Sequence, residues 1–187
     1  MIESKTVYYE KGGPEHTEAT LALAVDACTE LGIHDLVIAS SSGRTALALL
    51  DAAGLNVTVV TIAYGQGEAG GNPMSEETRR ELQARGYHVV SAAHALSGVE
   101  RCLSTTFGGV YPAEIMAHTL RMIGRGTKVC VECSAMAADA GCIVGGAPVI
   151  AVGGSGGGAD TAIVLRPEVS AKILKTKVDR FLCKPID

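Results

Sequence analysis

The stretch "SSSGRTA", residues 40–46, brings four side-chain hydroxyls and a glycine into seven consecutive positions. It follows the apolar run "DLVIA" and opens the helix-forming "TALALL". In a β-turn-α unit such a loop lies at the carboxyl end of the strand, where open α/β sheets bind ligands. Ser40, Ser41, Ser42 and Thr45 can donate hydrogen bonds, and Gly43 permits unusual backbone angles and close approach. Unpaired amides at a helix start favour negative charge. The chemistry these residue types support is anion binding, and a phosphate meets all of its demands. The competing reading is structural: Ser42 caps the helix and the other serines satisfy a turn.

Other residues with chemical capacity are fewer. "GQGEAG", residues 65–70, has the spacing of a dinucleotide fingerprint after a strand. Asn72 and Pro73 delay the next helix, and the next strand ends without an acid for a ribose, so a loop beside a ligand is the better reading. "GGSGGGADT", residues 153–161, also meets a glycine spacing, but a strand follows it where a helix is required. Its glycines suit close backbone approach to a ligand, and Asp160 and Thr161 add polar groups. Cys130 and Cys133 form a lone C-x-x-C. On a strand they face opposite sides, and no nearby histidine completes a metal set, so buried thiols are expected and no metal. Glu132, at the end of a strand, and Asp139, just after it, are placed at the ligand edge as hydroxyl acceptors or bases; a turn cap is the alternative for Asp139. Of the five histidines, His16 beside Thr17 is the one whose loop reaches that edge. No residue set defines a catalytic mechanism.

The elements that must position these groups alternate strand-length apolar runs with helical periods, the signature of an α/β domain. Strands are expected at residues 6–9, 36–39, 57–63, 87–91 and 128–132. Leu21, Ala24, Val25, Cys28 and Leu31 mark one helical stripe that closes at Gly32. Further helices are expected at 45–53, 76–85, 98–105 and 113–123. Residues 148–152 and 162–165 read as strands with no helix between them, hence an antiparallel pair at one side of the sheet. The fold expected is a single three-layer α/β/α domain with a mostly parallel mixed sheet and an antiparallel edge.

Composition sets outer limits. The chain has 187 residues, enough for one sizeable core, with 47% hydrophobic and 4% aromatic content. A net charge of −4 without a long basic run gives no footprint for nucleic acid. No apolar stretch has membrane-spanning length, and the first residues are charged where a signal peptide is apolar, so a cytoplasmic protein with reduced cysteines is expected. Whether it forms a homo-oligomer is left open.

"SSSGRTA" after "LVIA", with "ATLALAVDA" upstream and "VTVVTIA" downstream, resembles the C-terminal domain of pyruvate kinase over residues 17–63. There a Ser/Thr-rich S-G-R-[ST]-A loop grips a phosphate of the sugar-bisphosphate activator, which implies phosphate contacts at Ser40, Ser42, Gly43 and Thr45. The catalytic barrel of pyruvate kinase has no counterpart in a chain of this length. "ALSGVER", "TKVCVE", "MAADAG", "VIAVGG" and "GADTAIVLRP" look like a smaller family of free-standing proteins similar to that domain, known chiefly for carrying FMN. That resemblance implies an FMN phosphate on residues 40–45, with the rest of the ligand surface drawn from His16, Thr17, Gly65, Glu132, Ala138, Asp139, Gly153, Gly154, Asp160 and Thr161. It leaves open a flavin-dependent oxidoreductase. The alternative is a non-catalytic sensor of a phosphorylated metabolite, and a small phosphotransferase or isomerase using Glu132 or Asp139 as base is a third option.

Overall fold

The computed structural model describes residues 1, 3–50, 52–62 and 71–187. Its strands are β1 (Val7–Tyr9), β2 (Asp35–Ala39), β3 (Asn56–Ile62), β4 (His88–Ala92), β5 (Val149–Gly153), β6 (Thr161–Arg166) and β7 (Lys177–Pro185). They form one seven-stranded sheet in the order β1-β7-β6-β5-β2-β3-β4. Strands β5, β2, β3 and β4 run parallel to one another, while β6 is antiparallel to both β5 and β7. The expected antiparallel pair is β5 with β6, and β7 and β1 extend that side beyond it.

Strands β2 and β3 form because "LVI" and "VTVVT" are apolar or β-branched and are buried on both faces of the sheet. Leu36, Val37 and Ile38 are each fully buried, a burial worth about 1.5–3 kcal/mol per side chain. Helix α1 (Thr17–Leu31) lays Leu21, Ala24 and Cys28 on one face of the sheet and stops at Gly32, whose φ of 63° is the left-handed cap expected there. Helix α3 (Glu76–Ala84) starts at Ser75, whose hydroxyl accepts from the Thr78 amide at 3.1 Å, and Leu82 enters the same core. Helices α4 (Gly98–Phe107) and α5 (Pro112–Ile123) follow β4, and α5 packs on α6 (Arg125–Asp139), which covers the other face of the sheet. The result is the three-layer α/β/α arrangement. No helix among the described residues is long and apolar enough to cross a membrane.

Three elements differ from the sequence reading. Residues 128–132 are helix, inside α6, and no strand runs there. The helix after the serine loop is a single turn, α2 (Arg44–Leu47), where residues 45–53 were expected. Strand β7 was not anticipated. It carries charged residues at Lys177, Asp179, Arg180 and Lys184 around the apolar run Phe181 to Cys183, shows no period-two alternation, and is irregular against β6, with register shifts near Ile163 and Leu165.

Candidate ligand site at the carboxyl edge of the sheet

The chain builds outward from β2 through β3 to β4, then returns to the other side of β2 with β5. A reversal of this kind opens a crevice beyond the carboxyl ends of the strands. A cavity of about 340 Å³ lies there, walled by the ends of β2 and β3, by the serine loop, by Gly154, Gly157 and Gly158, by His94 and by α6. Helix α6 contributes Lys128, Val129, Glu132, Cys133 and Met136, one stripe at helical spacing.

On the serine side, Ser40, Ser41, Ser42, Arg44 and Thr45 all line the cavity. Thr61 fixes the turn by donating to the Ser41 carbonyl at 2.7 Å, and the Ser40 amide donates to the Val60 carbonyl at 3.0 Å. Gly43 is the N-cap of α2 in the left-handed region, φ 89°, and the Ala46 amide in the first turn donates to Ser40 Oγ at 3.4 Å, so the hydroxyl that caps the helix is that of Ser40, not Ser42. The Ser42 hydroxyl instead accepts from Arg44 Nε at 3.3 Å. Among the described residues the amides of positions 41–45 have no protein acceptor. The single turn of α2 carries little macrodipole, so these amides, the hydroxyls and the Arg44 guanidinium are what an anion would meet.

The opposite wall holds a buried charge cluster. Lys128 Nζ donates to Glu132 Oε2, His94 Nδ1 lies 3.1 Å from the same oxygen, and the Leu96 amide donates to Oε1 at 2.9 Å. Burial disfavours the Glu132 charge, but the hydrogen bonds and charges of His94 and Lys128 outweigh it and hold the carboxyl at about 2, below its ordinary 4.5. A lowered carboxyl contributes stability that is fully present above about pH 4.5 and is withdrawn as the pH falls toward 2. Denaturant melts across that window should show the loss in the native protein and a shallower acid limb in Glu132→Gln. An unchanged limb would mean that this carboxyl does not govern acid stability.

The remaining expected residues separate. Thr17 does not line the cavity. It is the first residue of α1 and braces the glycine loop, donating to the Pro14 carbonyl at 2.6 Å and accepting from the Ala159 amide at 3.0 Å. His16 is turned away: its ring stacks on Tyr9 at 4.0 Å and Nε2 meets the Lys11 carbonyl at 3.0 Å. Gly154 lines the cavity, whereas Gly153 lies against Cys130 and the backbone of Gly126 on α6. Asp160 and Thr161 are consumed behind the loop, with Asp160 accepting from the amide and hydroxyl of Ser155 and from Thr161 Oγ1. Ala138 and Asp139 are carried away from the site because residues 125–139 are helical; Asp139 lies about 10 Å along the axis from Glu132. Ala138 packs under the sheet, and Asp139 is exposed, accepting from the Ser170 amide at 2.9 Å. Gly65, with the whole of "GQGEAG", lies outside the described residues.

Glu132 lines the cavity, but three donors already hold its carboxylate, two on Oε2 and one on Oε1, which leaves a single acceptor position on Oε1 for a ligand hydroxyl. All six cysteines are free thiols. Burial pushes Cys130 well up and Cys133 to about 12, which keeps both thiols protonated at neutral pH. The residues that sequence reasoning missed are Lys128, His94 and Arg44. Lys128 and Glu132 share a face at i,i+4 in either a helix or a strand, a signal that was there to be used. His94, in a turn after β4, carried none.

The fold and crevice define a class: an open α/β domain with a cleft at its strand-order reversal. Residues 18–165 match the family described as "Pyruvate kinase, alpha/beta domain", and the chain belongs to that family. Among solved structures it is similar to a pyruvate kinase from Cryptosporidium parvum, at 15% identity and a TM-score of 0.37, with 88% of this chain and 22% of that one covered.

Proposed function

We propose that the chain binds a phosphorylated small molecule, FMN, in the cleft between the serine loop and α6, with the phosphate on residues 40–45. The observation that carries this reading is the convergence of four hydroxyls, Arg44 and a run of amides lacking protein acceptors around one turn of chain, mostly on a single wall of the cleft. Arg44 forms no ion pair among the described residues, so its charge is available to an anion. Val60, Ile62, Val129 and Met136 supply apolar surface for a ring. The cavity, about 340 Å³, is within the range of small-molecule sites. A bound flavin would supply redox chemistry from its ring, while the chain binds and orients it.

Titration of native protein with FMN, followed by quenching of flavin fluorescence, tests the reading. Saturable quenching that inorganic phosphate reverses is expected, and Ser42→Ala should weaken it about tenfold, the worth of one hydrogen bond to a charged group. Absence of quenching would remove the flavin. A second reading, a sensor of a phosphorylated metabolite, is favoured by one feature: no Phe, Tyr or Trp among the described residues lines the cleft to stack on a flavin. Binding of sugar phosphates without FMN affinity would select it.

A further inference from the structure

Helix α6 places a second set of groups on the wall facing the phosphate loop, and their hydrogen bonds fix their roles. Glu132 is ionised and only 1% exposed, so its carboxylate can only accept. His94 Nδ1, 3.1 Å from Oε2, must therefore carry the hydrogen of that bond. In neutral His94 this leaves Nε2 as an unprotonated acceptor, and Nε2 has no protein partner among the described residues. His94 lines the cavity with its side chain 34% exposed, so the ring is accessible from the cleft. Lys128 gives one hydrogen to Glu132 and, also lining the cavity, retains two more. A base held in one tautomer by a buried carboxylate, next to an ammonium, opposite a phosphate grip, is an arrangement for moving a proton at carbon.

We propose that His94 and Lys128 catalyse proton transfer at the carbon beside the carbonyl of a phosphorylated ketose, with Glu132 as the positioning residue. This rests on the phosphate-binding reading of residues 40–45 but not on the flavin. Nε2 of His94 takes the proton from the carbon; the C–H electron pair forms a C=C bond, and the carbonyl π pair moves onto oxygen. That developing charge meets the Lys128 ammonium. Return of a proton from His94 to the same carbon restores the ketose with solvent exchange. Its return to the neighbouring carbon, with the hydroxyl proton passing between the two oxygens, gives the aldose. Electrons balance within the substrate, so no oxidant or reductant is needed.

The test uses the full chain in D2O with dihydroxyacetone phosphate, ribulose 5-phosphate and fructose 6-phosphate. Phosphorus NMR reads binding and proton NMR reads deuterium uptake at the carbon beside the carbonyl. Binding of at least one ketose phosphate with uptake above the protein-free rate is expected. His94→Gln should bind with an unchanged phosphorus shift and exchange about a hundredfold or more slowly, the usual contribution of a positioned base. Glu132→Gln, where it folds, should lower the exchange rate at saturation while half-saturation stays within about twofold. Binding without exchange, or exchange that survives in His94→Gln, overturns the proton-transfer inference and leaves phosphate binding intact. No perturbation of any phosphate resonance overturns the ketose proposal by removing its substrate, and the phosphate reading then stands or falls on the FMN titration.

Discussion

Glu132→Ala is expected to cost about 3–5 kcal/mol of folding free energy, the range seen when one partner of a buried ion pair is removed. The side chains of Glu132 and Lys128 are 1% and 10% exposed, so the ammonium left behind has little water to turn to. The Leu96 amide, 2.9 Å from Oε1, is orphaned at the same time. Against a typical total stability of about 5–15 kcal/mol the loss is large enough to see as a collapsed urea midpoint. Lys128→Met combined with Glu132→Leu should recover most of it, because removing both charges leaves nothing unpaired. If Glu132→Ala falls within about 1 kcal/mol of native, Lys128 reaches solvent through the cleft and the pair is not a structural element.

Gly43→Val should break the anion site more completely than any single hydroxyl deletion. The backbone there has φ 89°, ψ −15°, and a side chain in that region costs about 1–2 kcal/mol before any contact is considered. A Cβ would also overlap Thr78 Cγ2, and α3 cannot easily yield because Ser75 caps it at Thr78. The turn must therefore shift, and the amides of residues 41–45 move with it. Losing two charge-assisted hydrogen bonds at about 1.5–3 kcal/mol each corresponds to a rise in the Kd for FMN of about a hundredfold or more. Fluorescence titration of protein shown by its melt to be folded checks this. Unchanged affinity would place the phosphate away from the loop.

The half of the fold around the serine loop was legible because local and global signals agree there. Strands β2 and β3 are β-branched runs buried on both faces, and Gly32 and Ser75 are caps with a mechanism. Helix α6 was not legible. Apart from Val129, every residue from Gly126 to Ala138 is buried, with the sheet beneath, α5 behind and the cleft along another side, so no polar face remains to display a helical period. What shows instead is the run Val129, Cys130, Val131, which read as a strand. The same error put Asp139 at the ligand edge and gave Glu132 an open carboxylate. That the serine loop lines the cleft was legible apart from Arg44, while the charged wall depended on a tertiary contact between a turn after β4 and a helix 38 positions away.

Because α6 is both a wall of the cleft and the main layer beneath the sheet, the wall exists only while the protein is folded. Any compound resting against Lys128 or Met136 therefore draws the chain toward its native form by mass action, adding about 2.7 kcal/mol at a hundredfold excess over its Kd. Melting temperature thus becomes an assay of occupancy, and a library of cellular metabolites could be sorted by heat alone, with no prior choice between a flavin and a sugar.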